Sequence, residues 1–80
     1  MLFLDVNVLV YAHRGESPRH DAHRKWVEDL LNSDDLYGMV DLVLSGFVRV
    51  VTHPRIFKKP STIEQAWAFV GQVRDRDNCR

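Results

Sequence analysis

The sequence predicts an α/β fold in which short parallel strands alternate with helices. Two apolar segments, residues 2–4 and 36–40, each run into an aspartate, and segments with helical periodicity follow both of them. The chain therefore reads β-α-α-β-α-α, an alternation typical of βαβ units and parallel sheets. Eighty residues suit one domain, residues 1–80. Because a sheet usually has about four to six strands, we expect these residues to be the N-terminal portion of a longer α/β domain.

The first strand is the continuous apolar run at residues 2–4, which predicts burial on both faces of the sheet. Asp5 follows it directly. In open parallel sheets, ligands bind outside the carboxyl ends of the strands, so a carboxylate here faces a candidate site. A turn or capping role for Asp5 is an equally open alternative. We expect Asn7 to cap a helix that begins at Val8.

The second helix is predicted to start with Ser17 as N-cap and Pro18 at the first helical position. It continues to about Asn32. Its apolar residues recur at helical spacing and predict one buried stripe. The stripe consists of Ala22, Trp26, Val27, Leu30 and Leu31.

Asp41 follows the second strand as Asp5 follows the first. A right-handed crossover between parallel strands brings both junctions to the same edge of the sheet, where both carboxylates could face one crevice. The alternative is that Asp41 only caps the helix predicted over residues 42–53. That helix is apolar nearly all round, which predicts cover on a second side by a partner subunit or by other parts of the domain. Pro54 ends it.

Residues 49–59 carry four basic side chains and no acidic one. Such a patch predicts phosphate contacts, with a solvated loop as the alternative. The basic residues are Arg49, Arg55, Lys58 and Lys59.

The last helix is predicted to open with a capping box in which Ser61 is the N-cap and Glu64 reaches back. Its apolar positions are Ile63, Ala66, Trp67, Val70 and Val73. We expect Trp67 and Phe69 to be core residues rather than a stacking platform.

Composition narrows the class of protein but names no partner. Eleven basic and eleven acidic residues cancel, and a hydrophobic content of 45% suits a packed domain. No signal peptide or membrane span is predicted. The single Cys79 excludes an internal disulfide and fits a reducing, cytoplasmic location.

Two segments resemble a known family. Leu4-Asp5-Val6-Asn7-Val8-Leu9-Val10-Tyr11-Ala12 resembles the first motif of PIN-domain ribonucleases. The segment from 41 to 57, DLVLSGFVRVVTHPRIF, is similar to a signature of VapC-type toxins of type II toxin–antitoxin pairs. The resemblance implies a three-layer α/β/α fold and a Mg²⁺- or Mn²⁺-dependent endoribonuclease acting on RNA. It also implies a homodimer and a cognate antitoxin that enters the active-site groove.

The resemblance also assigns roles to individual residues. Asp5 matches the first metal-binding carboxylate, and Asn7 matches the polar residue that orients it. Many PIN domains have their second acidic residue where this chain has Gly46, whereas the VapC-like branch often has it at the position of Asp41. Both aspartates are therefore the candidate catalytic and metal-binding residues, and Arg49 and Arg55 are candidate RNA contacts.

The resemblance also implies that the remaining acidic residues of the family lie downstream of residue 80. Two carboxylates hold Mg²⁺ weakly, so we expect little nuclease activity from these residues alone. A second hypothesis is a non-catalytic fragment that dimerises or binds antitoxin. A phosphatase of the haloacid dehalogenase type is disfavoured, because it needs an aspartate where this chain has Asn7.

Overall fold

The computed structural model describes residues 2–79, so both ends of the predicted 1–80 domain lie outside it. Within this range the order of elements is the predicted β-α-α-β-α-α, and the α/β class is confirmed. The elements are β1 (Leu2–Phe3), α1 (Val6–His13), α2 (His20–Leu31), β2 (Tyr37–Gly38), α3 (Asp41–Val51) and α4 (Ile63–Arg74).

The two strands pair in parallel, as predicted. Leu2 lies opposite Tyr37 and Phe3 opposite Gly38. On the other edge of β2, Tyr37 also forms a parallel bridge with Cys79, and the Tyr37 N–H donates to the Asn78 carbonyl at 3.0 Å. The segment after α4 therefore returns to the sheet beside β2 and extends it.

One hydrophobic core joins the helices to the sheet. Inside it, the rings of Phe47 on α3 and Phe69 on α4 stack with their centroids 4.9 Å apart, a favourable aromatic geometry. The buried core residues are Leu4, Leu9, Val10, Leu30, Tyr37, Leu44, Phe47, Val48, Val51, Ala66, Val70 and Val73. Among the helices of residues 2–79, none combines the length and apolar character needed to cross a membrane.

Two helix starts in the first half differ from the prediction. Helix α1 begins at Val6 with Asp5 as its N-cap, so Asn7 lies within the first turn and the predicted Asn7 cap is wrong. Helix α2 begins at His20 rather than Pro18. The Ser17 carbonyl accepts the His20 N–H in a tight turn, and Arg19 adopts a left-handed conformation with φ of 56°. The chain must complete this turn before it can become helical.

Two caps in the second half also differ. The N-cap of α3 is Val40, and Asp41 is the first helical residue, so the alternative in which Asp41 only caps this helix is wrong. The capping box of α4 is formed by Thr62 and Gln65, one residue later than the predicted Ser61 and Glu64. The reason is that Ser61 is buried and used elsewhere. Its hydroxyl lies 2.9 Å from His13 Nε2 and accepts a hydrogen bond from Arg14 Nη1 at 3.0 Å.

Burial is less complete than the apolar pattern predicts. Leu2 and Phe3 are 48% and 69% exposed, so the prediction of a first strand buried on both faces is wrong. Leu42 on α3 is 82% exposed. Periodicity shows which face of an element is apolar, but cover requires a neighbouring layer, and no element of residues 2–79 covers these side chains.

The predicted helical stripes are buried only in part. Val27 and Leu30 of α2 are buried, whereas Trp26 is 47% exposed and Ala22 is also exposed. On α4, Ala66, Val70 and Val73 are buried, but Ile63 and Trp67 are half exposed. Phe69 packs against the core as predicted, whereas the assignment of Trp67 to the core is wrong.

Candidate metal and nucleic-acid site

Asp5 is held at the junction between β1 and α1. Its backbone is extended, and its Oδ1 accepts the Val8 N–H at 2.9 Å, so the carboxylate caps the helix. The positive end of the helix dipole favours a negative charge at this position. The side chain is also exposed. Asp5 is therefore both a cap and an oriented carboxylate that can accept a further ligand.

Asp41 lies at the same end of the sheet. Because Phe3 pairs with Gly38 in a parallel register, residue 5 is level with residue 40, and Asp41 is one residue further along. Asp41 is exposed, and within residues 2–79 its carboxylate forms no ion pair or hydrogen bond. The strand ends thus bring both predicted carboxylates to one edge of the fold.

The resemblance also names positions 7 and 46; the first lies in α1 and the second packs against it. Asn7 is exposed in the first turn of α1, but the hydrogen bond that fixes the Asp5 carboxylate comes from the Val8 backbone. Gly46 on α3 faces α1, because a Cβ at this position would lie 3.2 Å from Val6 Cγ2. The close approach of α3 to α1 favours glycine at position 46.

Carboxylate oxygens are the ligands that Mg²⁺ and Mn²⁺ prefer, so Asp5 and Asp41 fit such an ion in kind. Two carboxylates are few ligands for such an ion. Within residues 2–79, no three His, Cys, Asp or Glu side chains form a group that could hold a metal ion. A cation shared by these two residues would take its remaining ligands from water, substrate or other polypeptide.

A cavity of about 430 Å³ opens beside Asp41, between α3 and α4. Arg49 lines it, so the structure brings this predicted RNA contact next to a predicted metal ligand. Arg55 lies apart, exposed in the turn after α3, where its backbone N–H donates to His53 Nδ1 at 3.1 Å.

The same cavity contains two residues that the sequence prediction missed. Trp67 and Arg74, both on α4, line it together with Asp41 and Arg49. They are seven residues apart and so share one face of the helix. This spacing could have paired them, but an apolar helical pattern does not tell whether a tryptophan is covered.

The known proteins that this chain resembles include several ribonucleases of the VapC type. No protein-family model matches the chain. It is 49% identical over 70 residues to ribonuclease VapC43 of Mycobacterium tuberculosis (strain ATCC 25618 / H37Rv), a match that covers 88% of this chain and 48% of that protein. Ribonuclease VapC31 of the same strain is 45% identical over 73 residues, 91% of this chain and 51% of that protein. Ribonuclease VapC48 of the same strain is 37% identical over 76 residues, a match that covers 95% of this chain and 52% of that protein.

The chain therefore spans about half the length of the curated relatives it matches. Its fold is that of a parallel α/β protein with a carboxylate at each strand end. Together with these relatives, this fold supports a VapC-like PIN-domain fragment.

Proposed function

We propose that the chain supplies two metal-binding carboxylates, Asp5 and Asp41, to a Mg²⁺- or Mn²⁺-dependent endoribonuclease that is the toxin of a type II toxin–antitoxin pair. The observation that carries the proposal is the placement of both carboxylates at the same end of a parallel strand pair. The relatives' names, which describe ribonucleases, support the reaction class.

The chemistry follows from the residues present. A divalent cation bound here would activate water and neutralise charge on the scissile phosphate. Asp5 would hold it with an oxygen already oriented by the Val8 N–H, so little side-chain freedom is lost on binding. Asp41 would provide the second oxygen, with Asn7 in a supporting role. Arg49 and Arg55 would contact RNA phosphates.

We further propose that residues 1–80 alone turn over RNA slowly or not at all, since two carboxylates hold Mg²⁺ weakly. The toxin would act in the cytoplasm as a homodimer, under the control of a cognate antitoxin protein. The strongly exposed Leu42 and Phe3 support a requirement for further cover by protein.

The test is an RNA-cleavage assay on a chimera that joins residues 1–80 to the C-terminal half of VapC43. We expect cleavage that depends on Mg²⁺ or Mn²⁺ and that falls by at least ~100-fold in Asp5→Asn, about the rate lost with a transition-state stabilising group. Asp34→Asn, an exposed aspartate in the turn before β2, is the matched control and should cleave normally. Cleavage by a well-folded chimera that is indifferent to Asp5→Asn would refute the proposal.

A second candidate function is a non-catalytic module that dimerises or binds antitoxin. The favouring observation is the 82% exposure of Leu42 on an apolar helix. Light scattering of the chain, with and without a VapB-type antitoxin, tests it. A folded monomer that binds no antitoxin would exclude this candidate.

A further inference from the structure

We propose that the cavity between α3 and α4 is a subsite for unpaired RNA, in which a base stacks on Trp67 while Arg49 and Arg74 contact flanking phosphates. The inference rests on the proposed ribonuclease function and deepens it, because it names the form of the substrate and the residues that hold it next to Asp41.

The shape of the cavity follows from helix geometry. Five residues of α3 form one wall, at positions i, i+3, i+4, i+7 and i+8, which share a helix face. They are Asp41, Leu44, Ser45, Val48 and Arg49. Trp67 and Arg74 of α4 form the opposite wall. The volume of about 430 Å³ lies in the range of roughly 300–1,000 Å³ typical of small-ligand sites.

The apolar part of the cavity suits a base. Leu44 and Val48 in the α3 wall are buried, whereas Trp67 in the opposite wall is 50% exposed and therefore presents surface to a ligand. Stacking on an aromatic side chain is tolerant of sequence, since every base has a π-face. It also requires an unstacked base, which single strands and loops offer and a regular duplex does not.

The charged part suits phosphate. Within residues 2–79, neither Arg49 nor Arg74 forms an ion pair, whereas Arg24 on α2 pairs with Glu28 at 3.2 Å. Two unpaired guanidiniums against the single carboxylate of Asp41 leave the cavity positive. Arginine is suited to phosphate because its planar fork can donate two parallel hydrogen bonds. A protein partner seated on this face would instead have to bury both charges.

The experiment measures binding of a fluorescent, unstructured oligoribonucleotide of about ten nucleotides to the chain in EDTA, over a series of salt concentrations. We expect Trp67→Ala to weaken affinity by roughly 5- to 150-fold, the loss of one stacked base, and Trp67→Phe to recover most of it. Arg49→Gln and Arg74→Gln should each reduce the slope of log Kd against log salt by about 0.7, the loss of one phosphate contact. Trp67→Ala should leave that slope unchanged.

Matched controls lie on α2. Trp26→Ala removes an indole of similar exposure, 47%, and Arg24→Gln removes an exposed guanidinium. Both should bind as the unchanged chain does. Equal losses from Trp26→Ala and Trp67→Ala, or no loss from Trp67→Ala and Trp67→Phe, would overturn the subsite. The subsite would also be overturned if Trp67→Ala changed the oligomeric state, measured by light scattering, without changing the affinity for RNA. This face would then be an interface between copies of the chain.

The design separates this inference from the proposed function. RNA binding with the expected pattern but no metal-dependent cleavage by the chimera would leave the subsite in place and remove the nuclease. Metal-dependent cleavage by the chimera, together with RNA binding that Trp67→Ala does not change, would leave the nuclease in place and remove the subsite.

Discussion

The side-chain amide nitrogen of Asn78 lies within hydrogen-bonding distance of three backbone carbonyls, which share its two N–H groups. They are those of Leu30, Ser33 and Asp35, at 3.0, 3.0 and 2.9 Å. Two of these carbonyls belong to the turn after α2, and the Leu30 carbonyl lies in the last turn of that helix, where it also accepts hydrogen bonds from the Ser33 N–H and hydroxyl. The Asn78 carbonyl in turn accepts the Tyr37 N–H. One residue thus joins the end of α2, the following turn and β2.

Asn78→Ala should lower the free energy of unfolding by about 1–3 kcal/mol, because it removes the donor that the partly buried carbonyls of Ser33 and Asp35 share. Asn78→Asp should cost more, since it replaces a donor with an acceptor that faces the same carbonyls. Urea denaturation followed by circular dichroism measures both. Asn32→Ala, at an exposed position after α2, is the control and should stay within ~0.5 kcal/mol. Equal stability of Asn78→Ala and the control would contradict this role.

His13 shows how a single side chain can link stability to pH. Burial, with a smaller contribution from the neighbouring Arg14 charge, lowers the pKa of His13 below its ordinary value of 6.5. The Ser61 hydroxyl accepts a hydrogen bond from Arg14, so it can donate its own proton to a neutral His13 Nε2. The folded protein therefore favours the uncharged imidazole.

We expect the free energy of unfolding to fall as the pH drops below 6.5, where the unfolded chain takes up a proton on His13 that the folded protein resists. The stabilisation is fully present above this pH and is lost as the pH falls through the lower pKa of the folded protein. Urea midpoints between about pH 5 and 7 test this. The dependence should weaken in His13→Gln. An unchanged pH profile in that variant would contradict the assignment to His13.

Among the elements, α4 is fixed to the sheet by one buried phenol. The O–H of Tyr37, in β2, donates to the Val73 carbonyl in the last turn of α4. Burial raises the pKa of Tyr37 to about 12, so the hydroxyl remains a donor at neutral pH. The bond satisfies a carbonyl at the helix end that has no partner within the helix.

Tyr37→Phe should therefore destabilise the fold by about 1–2 kcal/mol, since it leaves the Val73 carbonyl buried and unsatisfied while the ring still packs. Tyr11→Phe removes a hydroxyl from a ring that is 37% exposed and should have an effect within ~0.5 kcal/mol. Thermal unfolding of the two variants side by side is the measurement. A Tyr37→Phe variant as stable as Tyr11→Phe would show that this bond contributes nothing.

The elements also show what a sequence can predict. Helical periodicity is local, so it placed Val27, Leu30, Val70 and Val73 in the core. Helix starts depend on competition for polar groups across the fold. Ser61 is a good cap by its residue type, but it is drawn into contact with His13, and Thr62 takes over the role.

The candidate site was also predictable only in part. The strand ends predicted the shared edge of Asp5 and Asp41, because the carboxyl ends of parallel strands meet at one edge. The exposure of Trp67 was not predictable, since it depends on whether a further layer covers α4. The distance along the chain between α3 and α4 also hides the cavity that they form together.

At the scale of the whole molecule, the chain presents an organised carboxylate edge on a small and incompletely covered scaffold. Small chains bury a modest share of their surface and are only marginally stable. Phe3 at 69% and Leu42 at 82% exposure place apolar surface next to the strand ends that precede Asp5 and Asp41. We expect added protein on these surfaces to stabilise the fold and the carboxylate edge together.

The central claim is that Asp5 and Asp41 share one divalent cation. Titration of the ¹⁵N-labelled chain with paramagnetic Mn²⁺, followed by NMR, tests it most directly. The account predicts that amide signals at the starts of α1 and α3 broaden together, and that Asp5→Asn or Asp41→Asn weakens the broadening at both places while Asp34→Asn does not. Broadening at only one of the two, or broadening that neither substitution changes, would contradict it.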